Sequence, residues 1–402
     1  MDGGHAHNHE LAPAEEFAGR DTARLLRLVT IGCAIVVILS AALLWPSGRR
    51  TTDPLGLQAD PIAAHVTAVE ELPCAFNAQE LCAVVSIELT GGGQAGSTAS
   101  FEQSLTTTIR AGDDITVTAA ELGDDDGTAY SFFDFERSTP LIVLMLLFVG
   151  AVVALGRWRG VGALAGLAVS LIVIIWFALP SLADGNNAVA VALVTASAVA
   201  MVALYLAHGV GSATDVALLS TLASLALTGI LAWAFVGLAN FTGLNDDAAF
   251  VLQTLGTGID PRGILLAGIV IGSLGVLDDV TVTQVSAVSA LHHNRPDLSK
   301  RELFTSALTI GRDHISSTVN TLFLAYVGAA LPLLLLFSGL GESVSGVATR
   351  EVVATEIVRA LVGSIGLVAS VPISTALAVR VVGSAPGRGR SEHPNRSRTP
   401  RH

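Results

Sequence analysis

The sequence predicts a mainly α polytopic membrane bundle of about eight transmembrane helices, with a small extracytoplasmic all-β domain after the first helix. Three observations predict it. Hydrophobic residues make up 51% of the 402 positions and charged ones only 14%, with a mean hydropathy of +0.63. That is the balance of a chain that shows its apolar side chains to lipid. Long apolar runs recur along most of the sequence, as spanning helices require. One stretch after the first run breaks this habit and alternates apolar with polar residues, the period of a strand.

The arm 1–24 is polar and reads as disordered and cytoplasmic. Its His5, His7 and His9 alternate, a pattern that can hold a soft metal. Without a fixed backbone or a carboxylate cage, a solvated tail is the expectation, and no metal or cofactor is expected in the chain. The first span, 25–45, follows Arg20, Arg24 and Arg27. It exceeds the length of a signal-peptide core, so a retained anchor with a cytoplasmic start is expected.

Residues 51–138 form the β domain. Candidate strands are Ala63–Glu70, Cys82–Leu89, Ser100–Ile109, Asp114–Leu122 and Thr128–Phe135, separated by glycine- and aspartate-rich turns. Five short strands suggest a small barrel of the oligonucleotide/oligosaccharide-binding type. Fifteen acids face four arginines between positions 46 and 139, almost the whole of the net charge of -12. Nucleic acid is therefore not an expected partner. Cys74 and Cys82 share this segment, and outside the cytoplasm a disulfide between them is the natural reading, two free thiols the alternative. Cys33 reads as a packing residue. The turn Asp124-Asp125-Asp126-Gly127 lacks the spaced ligands and distal Glu of a calcium loop, so an acidic turn is expected.

The membrane domain, 140–382, supplies seven further spans: Leu141–Leu155, Val161–Leu179, Ala188–Ala207, Val216–Leu238, a central one within Gly263–Leu291, Thr318–Phe337 and Ile357–Val381. A re-entrant element near 248–257 would be an addition to these. With the N-terminus inside, fifteen of the 22 basic residues fall in the cytoplasm, the positive-inside pattern. Both termini are then cytoplasmic and residues 46–139 extracytoplasmic, in the plasma membrane of a bacterium. The arginine-rich, nearly lysine-free usage suggests an actinobacterium. The tail 383–402 is basic, rich in Pro, Gly and Ser, and expected to be disordered against anionic lipid.

The central stretch reads GILLAGIVIGSLGVLDDVTVTQVSAVSAL. Its apolar part, Ile264 to Leu277, is shorter than the roughly 20 residues a span needs. Completing it draws Asp278, Asp279, Thr281, Thr283, Gln284 and Ser286 into or just below the hydrocarbon. Acids there cost roughly 2.5–3.5 kcal/mol each on insertion scales. Toward the outer leaflet the same helix carries Gly268, Gly272 and Gly275, a spacing of small residues that suggests close approach of a neighbour. The next span opens with a second polar stripe, Thr309, Asp313, Ser316 and Asn320, flanked by Arg312 and His314. Antiparallel packing of these two helices would line a polar cleft open to the cytoplasm, bringing Asp279 near Arg312, Ser316 or Asn320. For any single member an interhelical hydrogen bond is a sufficient role; the whole set is too costly for packing alone. His208 and Asp215 bracket a short loop, where Asp215 reads as a helix cap. Pro332 and Pro372 predict kinks.

The run GSLGVLDDVTVTQVSAVSAL, with RELFTSALTIGRDHISSTVNTLFLAYVGAALPLLLLF after it, resembles the YibE/YibF-like bacterial membrane proteins, most specifically over 263–337. The resemblance implies a multi-pass plasma-membrane protein and no particular substrate. The expected function is a permease or secondary transporter for a small solute or ion. The alternative is an accessory or scaffold protein whose outer domain binds a membrane or cell-envelope partner. An intramembrane hydrolase is the third reading, and no GxSxG or HExxH motif supports it. Beyond the lipid bilayer, a second copy of the chain is a further expected partner.

Overall fold

A computed structural model describes residues 17–48, 61–74, 80–105, 108–121, 128–244, 260–339 and 343–382. The histidine arm, the Asp124–Gly127 turn, the 248–257 segment and the basic tail lie outside the described residues. The chain forms two compact units, one of residues 52–155 and one of 1–51 with 156–402.

The first unit holds an antiparallel sheet of five strands: β1 (Ile62–Pro73), β2 (Leu81–Leu89), β3 (Thr98–Ser104), β4 (Asp114–Glu121) and β5 (Thr128–Phe135). Their order is β3-β2-β1-β4-β5. Alternation decides which face is buried: Val66, Val85, Ile87, Ile115 and Val117 point into one core with Phe101. Bulges interrupt the register between Val66 and Ala68 and between Thr116 and Val117, adding local bend and twist. Cys74 and Cys82 are joined by a disulfide, with Cα atoms 5.0 Å apart, across the β1–β2 connection.

The helices are α1 (Arg20–Leu43), α2 (Ser138–Val173), α3 (Leu179–Ala183), α4 (Ala188–His208), α5 (Ser212–Leu238), α6 (Pro261–Asn294), α7 (Lys300–Ala329), α8 (Leu331–Gly339), α9 (Val344–Ala348) and α10 (Glu351–Val381). A π-turn over Ile174–Ala178 links α2 to α3. Among the described residues six helices are long and apolar enough to cross a membrane, and α7 with α8 makes a seventh if their 60° bend is read as one broken span. The longest of the six runs from Ser138 to Ala183, where the sequence suggests two spans. The chain is helical on either side of Arg157, whose φ of 50° breaks the run at the gap between those two expected spans. The bend between α7 and α8 falls beside Pro332, as expected of proline. Pro372 lies inside α10 with no such interruption.

Two ends of the second unit are tied separately. At the arginine-rich end, Phe17, Ala18, Leu26, Val285, Leu303 and Ala378 cluster, and Ala18 bridges to Val382. At the other end, the Asp184 carboxylate accepts from the backbone and hydroxyl of Ser47, and Glu351 accepts from Thr242 and Gly243. Between them α5, α6 and α10 pack most closely, because small residues face each other. Thr221 and Thr281 share a hydrogen bond of 2.6 Å between α5 and α6. Gly366 of α10 leaves no room for a side chain: a Cβ there would lie 2.1 Å from Thr228 Oγ1. Dispersion and hydroxyl pairing, not water exclusion, hold such contacts in lipid.

This contact gives a direct test. Gly366→Ala should lower the midpoint of thermal unfolding in detergent, by an overpacking cost of about 1–3 kcal/mol. Adding Thr228→Ala should recover most of it. Gly275→Ala, built into a position with nothing within 4 Å, should leave the midpoint unchanged.

Candidate functional site

Helix α6 starts sharply. The Asp260 side chain accepts from the Arg262 backbone N–H and Pro261 occupies the first turn, a favourable N-terminus. Its 34 residues measure about 51 Å, so Asp278 and Asp279 fall near its midpoint. Leu277, Val280, Thr281 and Gln284 are buried, whereas Gly268, Gly272, Gly275, Asp279 and Thr283 lie on one exposed strip. The glycines were expected to admit a neighbouring backbone. Instead the strip is open: near Gly272 the closest group is the Tyr326 hydroxyl, 3.8 Å from where a Cβ would sit, and at Gly275 there is none within 4 Å.

The neighbours fix the level of the two acids. The Thr221–Thr281 bond sets an antiparallel register between α5 and α6. In that register Asp215 is level with Ala287, about 12 Å along the axis from Asp279. Asp215 is buried and sits at the arginine-rich end with Arg27, 3.7 Å away. The acids therefore lie deeper than Asp215, close to where α4 ends in His208.

Of the ten polar residues singled out in the sequence, eight separate into three groups. Gln284 is buried and satisfied: its Nε2 donates to the Ala307 carbonyl at 2.8 Å and to Thr375 Oγ1 at 2.7 Å, pinning α6 to α7 and α10. Gly311 makes this junction possible, since a Cβ there would meet Gln284 Oε1 at 2.7 Å and Val371 at 2.5 Å. Asp278, Asp279 and His314 form the second group. His314 Nε2 stands 4.0 Å from Asp279 Oδ2, within ion-pair reach but beyond a hydrogen bond. Asp278 Oδ1 and His314 Nε2 are enclosed with no hydrogen-bond partner among the described residues. His208, at the end of α4, lies within electrostatic range of Asp279 and Arg159. The third group, Arg312, Asp313, Ser316 and Asn320, is exposed on the side of α7 away from α10. Among the described residues none of these four forms a hydrogen bond or ion pair with Asp279, where the expected cleft put Arg312, Ser316 or Asn320; its ion-pair partner is His314. Thr283 continues the open strip of α6, and Ser286 is half-buried beside it.

Sequence reasoning missed a fourth cluster. Asp215 does not cap α5; it is buried, and Tyr205 donates to its Oδ1 at 2.6 Å while Arg27 pairs with Oδ2. Tyr205 carried no local signal, and Arg27 reads equally well as a simple marker of topology. Thr375 was also missed, although Ser370, Ser374 and Thr375 recur on α10 as a buried hydroxyl face.

Chemically, the second group is a cluster of two carboxylates and an imidazole with unused hydrogen-bonding capacity. Enclosed polar atoms without partners cost free energy, so the arrangement suits something that visits: water, a proton or a small polar solute. No described group forms a nucleophile–base pair there.

Long apolar helices, a polar cluster within them and a hydroxyl-lined core define an α-helical membrane protein. The profile of the YibE/F-like protein family matches residues 144–384, and the chain belongs to that family. No curated protein and no solved structure matches it.

The Tyr205–Asp215–Arg27 cluster is the better stability probe. Tyr205→Phe should cost about 1 kcal/mol. Asp215→Ala, which strands both partners, should cost about 3 kcal/mol. Thermal unfolding in detergent at neutral pH measures both.

Proposed function

We propose that this protein is a permease or secondary transporter for a small solute or ion in the bacterial plasma membrane, with both termini cytoplasmic. The pathway runs along the open strip of α6 beside α7. Asp278, Asp279 and His314 are its charge-bearing groups. The observation that carries this reading is the incomplete pairing of ionisable groups: among the described residues Asp278 Oδ1 and His314 Nε2 have no hydrogen-bond partner, a state they share with the hydroxyls of Thr195 and Ser224. Structural polar groups in a membrane are ordinarily satisfied by their neighbours, as Gln284 is; those left open mark ion and solute routes.

A second reading is an accessory or scaffold protein. The separate, disulfide-closed sheet unit favours it. We read that sheet as a barrel of the oligonucleotide/oligosaccharide-binding type, its order bringing the edge strands β3 and β5 toward each other, and as a docking module for a cell-envelope protein.

Proteoliposomes loaded with a pH-sensitive dye separate the two. Candidate metal ions, organic acids and amines are added outside under an imposed pH gradient. For a transported compound, wild type should collapse the gradient, and Asp278→Asn/Asp279→Asn should slow this at least about tenfold, on the order of 1.4 kcal/mol in barrier. Deleting residues 62–135 should leave the rate intact. Unchanged flux in the double variant would remove the pathway. Loss of a cellular phenotype on deleting the sheet alone would establish the scaffold.

A further inference from the structure

We propose that a second copy of this chain docks on the outward face of α7, giving a two-fold dimer whose axis runs along the membrane normal. Helix α7 uses one side for its own bundle: Leu308, Ile315 and Val319 pack with Val280, Leu367 and Val371, and Leu322 reaches Gly363. The opposite side has no such cover. Thr309, Arg312, Asp313, Ser316, Ser317 and Asn320 are all exposed there. Among the described residues nothing forms a hydrogen bond or ion pair with the side chains of Arg312, Asp313, Ser316 or Asn320.

Asn320 makes this face unfit for lipid. It is exposed within the apolar run that begins at Thr318, and a polar group there faces protein or a water-filled space. Thr309, Arg312 and Asp313 stand about two to three turns nearer the start of α7 on the same side.

The residues point to a second copy as the cover. Thr309, Asp313, Ser316, Asn320 and Phe323 follow one another at intervals of four, three, four and three, the seam spacing of a two-stranded coil. Copies inserted in the same orientation place α7 parallel to its mate, with equal heights in register. Asp313 lies on the seam, where the two copies' carboxylates come close, and Arg312, one position to the side, reaches across to the other copy's Asp313; the two-fold axis makes the pair twice. Asn320 carries both a donor and an acceptor and bonds to its own counterpart, as amides do between membrane helices. Ser316, small and between these pairs, lets the backbones approach.

Single cysteines in a Cys33→Ala background test this in native membranes with a copper–phenanthroline oxidant. Asp313→Cys, Ser316→Cys, Asn320→Cys and Phe323→Cys should cross-link to dimers. Leu308→Cys, Ile315→Cys and Val319→Cys should not. In detergent, Arg312→Asp or Asp313→Arg alone should cut the dimer fraction at least tenfold, and the two together should restore it. Asn320→Leu, which keeps the charges, should weaken the dimer without lowering the unfolding midpoint of the monomer. Absent cross-links with ready labelling of these positions by a membrane-impermeant maleimide would make the face aqueous and overturn the dimer. Cross-links confined to positions 308, 315 and 319 would overturn it equally.

Discussion

A carboxylate set among apolar helices needs partners or water, and the membrane unit is arranged around two of them. Asp278 and Asp279 stand at the middle of a helix of 34 residues, the first half-buried and the second exposed. The structure supplies both halves of a solution. Asp279 turns to the open strip with His314 nearby, whereas Asp278 turns inward with one oxygen enclosed. One residue of sequence, about 100° of rotation, separates two different environments.

That arrangement depends on the surrounding helices being held without a hydrophobic driving force, since lipid is as apolar as their side chains. Close approach replaces it. Gly366 against Thr228, Gly311 against Gln284 and the Thr221–Thr281 bond draw α5, α6, α7 and α10 together. The hydroxyls of Ser220, Thr228, Ser370, Ser374 and Thr375 spend their donors on carbonyls three or four residues back. They keep the interface small without leaving it unsatisfied. Gln284 spans three helices in the same way. Two core hydroxyls, those of Thr195 and Ser224, stay unpaired among the described residues, but the unpaired ionisable groups are those around Asp279.

The sequence makes elements legible more readily than partners. The five strands follow from alternation alone, and their observed limits differ from the expected ones by a few residues, as at β1, where pairing with β2 extends to Pro73. Helix α7 begins at Lys300, well before the apolar run at Thr318, because the capping box of Ser299 and Glu302 starts it; hydropathy marks only the part that lipid touches. Asp278 and Asp279 are visible as an energetic anomaly. Their company is not, because spacing gives a face and not the register between helices. The face chosen for α7 put Arg312 and Asn320 toward Asp279, while the Gly311 junction turns His314 there instead. Asp215 was misread for a similar reason: its partner Arg27 comes from α1, nearly two hundred residues earlier.

The register that places His314 opposite Asp279 also assigns the rest of α7. A helix has about 3.6 residues per turn, so a polar run as dense as Thr309 to Thr321 cannot direct all its members to one neighbour. With Leu308, Gly311, Ile315 and Val319 committed to α10 and α6, Asp313, Ser316 and Asn320 are forced outward. Two polar sites on one helix follow from this geometry, one facing the α6 strip and one facing away. They are joined by a rigid rod, so a shift of α7 against α6 that opened or closed the Asp279–His314 gap would move the outward face with it. If a second copy sits on that face, each pathway is mechanically tied to the other through α7. The polar density of this short segment, in excess of what one buried site needs, is then accounted for by its serving two.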